Sequence, residues 1–96
     1  MDADFLEKLD EAREFAGFAF FINSAYRSPD HPESVKNPTS SHIKGLAVDI
    51  AVTDSRTRFA IIDALIHVGF NRIGIASGFI HVDDDKDKAN GVIWTY

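Results

Sequence analysis

Hydrophobic residues recur at three- and four-residue steps over positions 4–16, where Phe5, Leu6, Leu9, Ala12, Phe15 and Ala16 fall on one side. Glu7, Lys8, Glu11 and Glu14 take the other side, so this stretch predicts an amphipathic helix. Asp4 is placed to cap it, with Glu7 three residues on, and Gly17 to end it. Positions 18–23 form a nearly continuous apolar run that reads as a short buried strand. Over 46–52 the pattern alternates: Leu46, Val48, Ile50 and Val52 point one way, Ala47, Asp49 and Ala51 the other. A second helix is predicted over 54–67, with Phe59, Ile62, Leu65 and Ile66 as its buried stripe and Gly69 as its stop. Strands at 72–76 and 79–83 flank a Ser77-Gly78 turn and predict a hairpin. Positions 84–90 read as a charged, solvated turn, and 92–96 as a short apolar segment. The order is that of an α+β fold, a mainly antiparallel sheet packed against two helices, in a single small domain over 1–96.

Between the first two strands the periodicity vanishes. Positions 24–41 hold all three prolines together with many Ser, Asn and Asp residues. A structureless stretch of this length inside a small domain points to function or to disorder. Tyr26, Arg27 and His31 within it favour function.

Composition narrows the choice further. Fifteen acidic against ten basic side chains give a net charge of −5 without any Lys/Arg block, which argues against nucleic acid as a partner. The absence of cysteine removes disulfides, thiolate zinc sites and Cys nucleophiles together. No long apolar run and no basic-then-apolar N-terminus is present, so neither a membrane span nor a signal peptide is expected.

Three residues carry the candidate chemistry. His42 ends the long loop, Asp49 lies on the small-residue face of the next strand, and His81 sits mid-strand with Phe79 and Asp83 on its face. Two imidazoles and a carboxylate make up a recurring catalytic zinc shell. Spacing alone leaves the alternative of ordinary strand residues open. A His or Asp buried mid-strand is nevertheless costly unless it has a partner or a metal.

The local motifs are more specific. Residues 40–49 read S-x-H-x-x-G-x-A-x-D, preceded by Ser24-Ala25-Tyr26-Arg27-Ser28 and followed by Gly78-Phe79-Ile80-His81-Val82-Asp83. This set, in this order, resembles the zinc D-Ala-D-Ala carboxypeptidase family. That family includes phage L-alanyl-D-glutamate endopeptidases and shares its fold with the Hedgehog signalling domain. The resemblance covers about residues 18 to 83 and implies that His42, Asp49 and His81 hold Zn2+. It further implies that Arg27 binds substrate and stabilises the developing oxyanion, and that Ser40 lies at the substrate-binding edge. The implied activity is a zinc metallopeptidase cutting the peptidoglycan stem peptide, in the manner of small phage-encoded lytic proteins.

One feature of that family is missing. Where its members carry a general base shortly before the second zinc histidine, this chain has Gly78 and Phe79. Asp83, two residues after His81 on the same strand face, is the replacement, either as the base or as a partner holding the His81 ring. The competing function is a non-catalytic zinc module that binds cell wall or builds a virion. Among the other candidates, His67 is read as structural at a helix end and His31 as an exposed loop residue. Asp83, Asp85 and Asp87 imitate the start of a calcium loop, but Lys88 stands where its Gly belongs and Trp94 where its Glu belongs. Trp94 and Tyr96 are expected to pack on the core, with covering one edge of the cleft as the alternative.

Overall fold

The computed structural model describes residues 2–24, 46–85 and 88–96. The predicted loop beyond Ser24, with Tyr26, Arg27, His31 and Ser40, lies outside the described residues, as does His42.

Helix α1 (Ala3–Ala16) begins at Asp2, whose carboxylate accepts the Phe5 N–H at 2.9 Å. The cap is therefore Asp2, not Asp4. Asp2 has the extended backbone that a cap requires, whereas Asp4 is already inside the first turn, where its charge suits the helix dipole. Gly17 closes the helix in the left-handed conformation (φ 83°), its N–H reaching the Arg13 carbonyl at 3.0 Å. Phe5 and Ala12 are its fully buried residues.

Helix α2 (Ser55–His67) starts from Asp54, which accepts the Thr57 N–H at 2.8 Å. Its buried stripe is Ile61, Ala64 and Leu65, so the predicted face is rotated by about one position. Phe59 and Ile66 stand 74% and 52% exposed. Positions 59–66 are apolar at all but Asp63, so periodicity selects no single face there and packing against the sheet decides. At the C-terminus Val68 is the cap, and Gly69 (φ 100°) makes the reversal that lets the Phe70 N–H reach the Leu65 carbonyl. The exposed His67 ring stacks on Phe15 of α1, with centroids 3.9 Å apart.

Five strands form one sheet: β1 (Ile22–Ser24), β2 (Ala47–Ala51), β3 (Arg72–Ile75), β4 (Phe79–Asp83) and β5 (Val92–Thr95). Their spatial order is β1-β2-β4-β3-β5, antiparallel throughout except for the parallel β3–β5 pair. The β3–β4 hairpin forms where the pattern places it, with Ile75 opposite Ile80. The 18–23 run does not form a buried strand: only Ile22–Ser24 is extended, at the edge of the sheet. Phe21, just before it, is 73% exposed.

Alternation along the strands divides the sheet into two faces. Val48, Ile50, Ile73, Ile80 and Val82 meet Phe5 and Ala12 of α1 and Ile61, Ala64 and Leu65 of α2, with Phe70 between them. Phe5 and Phe70 contact edge to face at 5.6 Å. The opposite face carries Ala47, Asp49 and Ala51 of β2, and Phe79, His81 and Asp83 of β4. After β4, Asp85 is buried (1% exposed) rather than solvated, contrary to the reading of 84–90 as a charged surface turn. Its backbone N–H turns inward to Asp83, and Lys88 lies 3.8 Å from its carboxylate. Among the described residues, no helix is long and apolar enough to cross a membrane.

Candidate metal centre

Asp49 of β2 and His81 of β4 are direct cross-strand partners; His81 in turn sits opposite Gly74 of β3, and Gly74 opposite Trp94 of β5. Asp49, His81, Gly74 and Trp94 thus form one row running across four strands. Within it, Asp49 Oδ1 lies 3.0 Å from His81 Nδ1. His81 Nε2 lies 2.7 Å from Asp83 Oδ2. The other oxygen of Asp83 accepts from Arg72 Nε at 2.6 Å and from the Asp85 backbone N–H at 3.2 Å. Arg72 also donates to the Ala89 carbonyl, which ties the segment after β4 back onto β3.

Burial makes these partners matter. Asp83 is 1% exposed, and an isolated carboxylate there would be costly. Burial pushes its pKa up, yet the hydrogen bonds from His81, Arg72 and the Asp85 N–H together hold it below the ordinary carboxylate value. His81 obeys the same logic with opposite sign. Burial pulls its imidazolium down, but hydrogen bonds to Asp49 and Asp83 and their charges outweigh this, and the net shift is upward.

Trp94 does not pack on the core; it lies on the His81 face. Its ring covers Gly74, where an added Cβ would come within 2.6 Å of the indole nitrogen. The ring centroid is 5.5 Å from that of His81 and 5.1 Å from the Arg72 guanidinium carbon, within cation–π range. Tyr96 is 70% exposed and rests against Phe79 at 5.2 Å. Trp94 takes the alternative place, at the edge of the site, while Arg72 and Gly74 are site residues that the motifs do not mark. The strand pattern does carry a signal for both: with Ile73 and Ile75 facing the core, alternation puts Arg72 and Gly74 on the face of His81.

Of the predicted metal ligands, Asp49 and His81 are brought together, and His42 lies outside the described residues along with Arg27 and Ser40. Among the described residues, no three His, Cys, Asp or Glu groups gather in a metal-binding cluster. The two that do meet suit zinc. A tetrahedral shell with bonds of about 2.0–2.2 Å separates neighbouring donor atoms by roughly 3.3 Å. The 3.0 Å between Asp49 Oδ1 and His81 Nδ1 is a hydrogen-bond distance, and these two donors need only move apart by a few tenths of an ångström to reach that spacing. The far nitrogen of His81 is engaged by a buried carboxylate, the usual support of a metal-ligating imidazole.

Comparison with curated proteins and with solved structures found no match. A family model described as Peptidase M15 matches residues 2–83, from the cap of α1 to Asp83 at the end of β4. That span takes in Asp49, His81 and the segment bearing His42, Arg27 and Ser40. On this match, the chain belongs to the peptidase M15 family, whose members are generally zinc-dependent metallopeptidases.

Proposed function

We propose that the protein is a zinc-dependent peptidoglycan peptidase, of D-Ala-D-Ala carboxypeptidase or L-Ala-D-Glu endopeptidase type, hydrolysing stem-peptide amide bonds. The observation that carries the reading is the His81–Asp49 contact, with the opposite nitrogen of His81 held by buried Asp83. His42, Asp49 and His81 are the proposed ligands. These residues would hold the ion, and the chemistry it would supply there is Lewis acidity toward the amide carbonyl and a lowered pKa for water.

The remaining work falls to the protein's own groups. Arg27 pairs with a substrate carboxylate or with the developing oxyanion, where a planar cation is most useful. Ser40 contacts the peptide at the edge of the site. Asp83 is best assigned to holding His81, because both of its oxygens are already committed: Oδ2 to His81, Oδ1 to Arg72 and the Asp85 N–H. Its burial behind the imidazole also separates it from the side of the ring that faces Asp49. In a cell-wall-degrading role the protein works as endolysin-like phage proteins do.

A second reading, a non-catalytic zinc module of a virion or cell wall, is favoured by Gly78 and Phe79 where a general base would stand. Release of stem-peptide fragments from purified peptidoglycan, measured with and without a chelator, separates the two. Chelator-sensitive release that is lost in Arg27→Ala, with zinc still bound, supports the peptidase. Zinc binding without any cleavage supports the module.

A further inference from the structure

Arg72 is 9% exposed, and three contacts hold it. Its Nε donates to Asp83 Oδ1 at 2.6 Å, another nitrogen donates to the Ala89 carbonyl, and the Trp94 ring covers its guanidinium. Because one donor of the rigid guanidinium is anchored on the Ala89 carbonyl, the direction from which the other meets Asp83 Oδ1 is fixed, which a flexible ammonium would not achieve. Rotation is what counts here, because Oδ2 of that carboxylate must lie in the plane and along the axis of the His81 Nε2–H bond. With Oδ1 pinned by Arg72 from one side and by the Asp85 N–H from another, Oδ2 is left aimed at Nε2 at 2.7 Å. The His81 ring is thereby fixed, and its Nδ1 faces Asp49.

We infer that Arg72 is a positioning residue for His81, acting through Asp83, and that the Trp94 ring over Gly74 holds it in that role. This rests on the reading of Asp49 and His81 as zinc ligands. It assigns a metal-site function to a β3 side chain that touches neither of them. A role limited to neutralising buried Asp83 is the competing explanation, and lysine tells the two apart because it keeps the charge and loses the fork.

The test compares wild type, Arg72→Lys, Asp83→Asn and the double variant Arg72→Met/Asp83→Asn, which swaps the buried pair for neutral groups should the lysine protein not fold. Zinc affinity is measured by competition with a chromophoric chelator. In parallel, the His81 Nε2–H proton resonance is recorded in metal-free protein. Positioning through Asp83 predicts that zinc binds about 10–100-fold more weakly in folded Arg72→Lys, and that the double variant binds no more weakly than Asp83→Asn alone. It also predicts that the Nε2–H resonance shifts or broadens as the hydrogen bond to residue 83 loosens. Wild-type zinc affinity together with an unchanged resonance in folded Arg72→Lys, or a folded double variant with wild-type affinity or with weaker affinity than Asp83→Asn alone, overturns the inference. If wild type binds no zinc, or His81→Ala leaves its affinity unaltered, the zinc reading fails instead. The metal-free resonance then still decides the role of Arg72.

Discussion

His81 divides its two ring nitrogens between two carboxylates, with Nδ1 3.0 Å from Asp49 and Nε2 2.7 Å from Asp83. The division assigns them different tasks: Asp49 shares a site with the imidazole, and Asp83 stands behind it. Asp83→Asn should therefore weaken zinc binding by about 10–100-fold, the usual effect of removing a carboxylate that orients a ligating histidine. Chelator competition measures this. A fall in turnover of about 10²–10⁴-fold with zinc still fully bound would instead make Asp83 the general base.

Replacing His81 by Ala removes a proposed ligand and leaves Asp83 with Arg72 and the Asp85 N–H as its remaining donors. Zinc retention in equilibrium dialysis and cleavage of peptidoglycan should both be lost. The metal-free protein should stay folded and lose about 1–3 kcal/mol in urea titration, the cost of leaving a buried acceptor short of a partner. Full zinc stoichiometry in this variant would rule His81 out as a ligand.

The titration of His81 and Asp83 shapes the stability of the metal-free protein in opposite directions. His81 has its folded pKa raised above the ordinary 6.5, so its contribution is complete below that pH and disappears as pH rises through the raised value. Asp83 has its pKa lowered below the ordinary 3.8, so its contribution is present above that pH and disappears as pH falls through the lowered value. Urea midpoints should accordingly decline on both the alkaline and the acid side, and His81→Gln should abolish the alkaline decline. Zinc competes with the proton for the same imidazole, so its affinity should drop as pH falls below the raised His81 value.

Gly74 leaves no room for a side chain beneath Trp94. A methyl group there meets three atoms of the indole between 2.6 and 2.9 Å, and a rigid ring system must move as a whole to relieve it. Gly74→Ala should cost about 1–3 kcal/mol, the range for overpacking a filled position. Trp94 is the only tryptophan in the chain, so its emission spectrum reports the displacement directly. An unchanged spectrum and an unchanged urea midpoint would contradict this packing.

Much of this arrangement is legible in the alternation of residues 46–52 and 79–83, which by itself puts Asp49 and His81 on the face away from the apolar set. The start of α1 was misread because both Asp2 and Asp4 are competent caps, and only backbone conformation separates them. The stripe of α2 was rotated because nearly every position from 59 to 66 is apolar. For Trp94 the sequence leaves the core and the edge of the cleft both open, and hydrophobicity favours the wrong one. Its place beside His81 depends on the parallel pairing of β5 with β3, a contact set by tertiary topology rather than by any neighbouring residue. Arg72 went unnoticed for a related reason: its partner Asp83 is eleven residues away and meets it only through the hairpin.

Because Asp49, His81, Gly74 and Trp94 occupy a single cross-strand row, their proximity is a property of strand register. Sliding β2 by one residue would present Val48 or Ile50 to His81 and turn the apolar set of that strand to solvent. Any drift that the hydrophobic layer rejects, the row rejects as well. The Asp49–His81 contact is thus guarded by residues on the far side of the sheet that never touch it. With Asp49 and His81 as the proposed ligands, metal uptake would double as an assay of the β2–β4 register that sets them side by side.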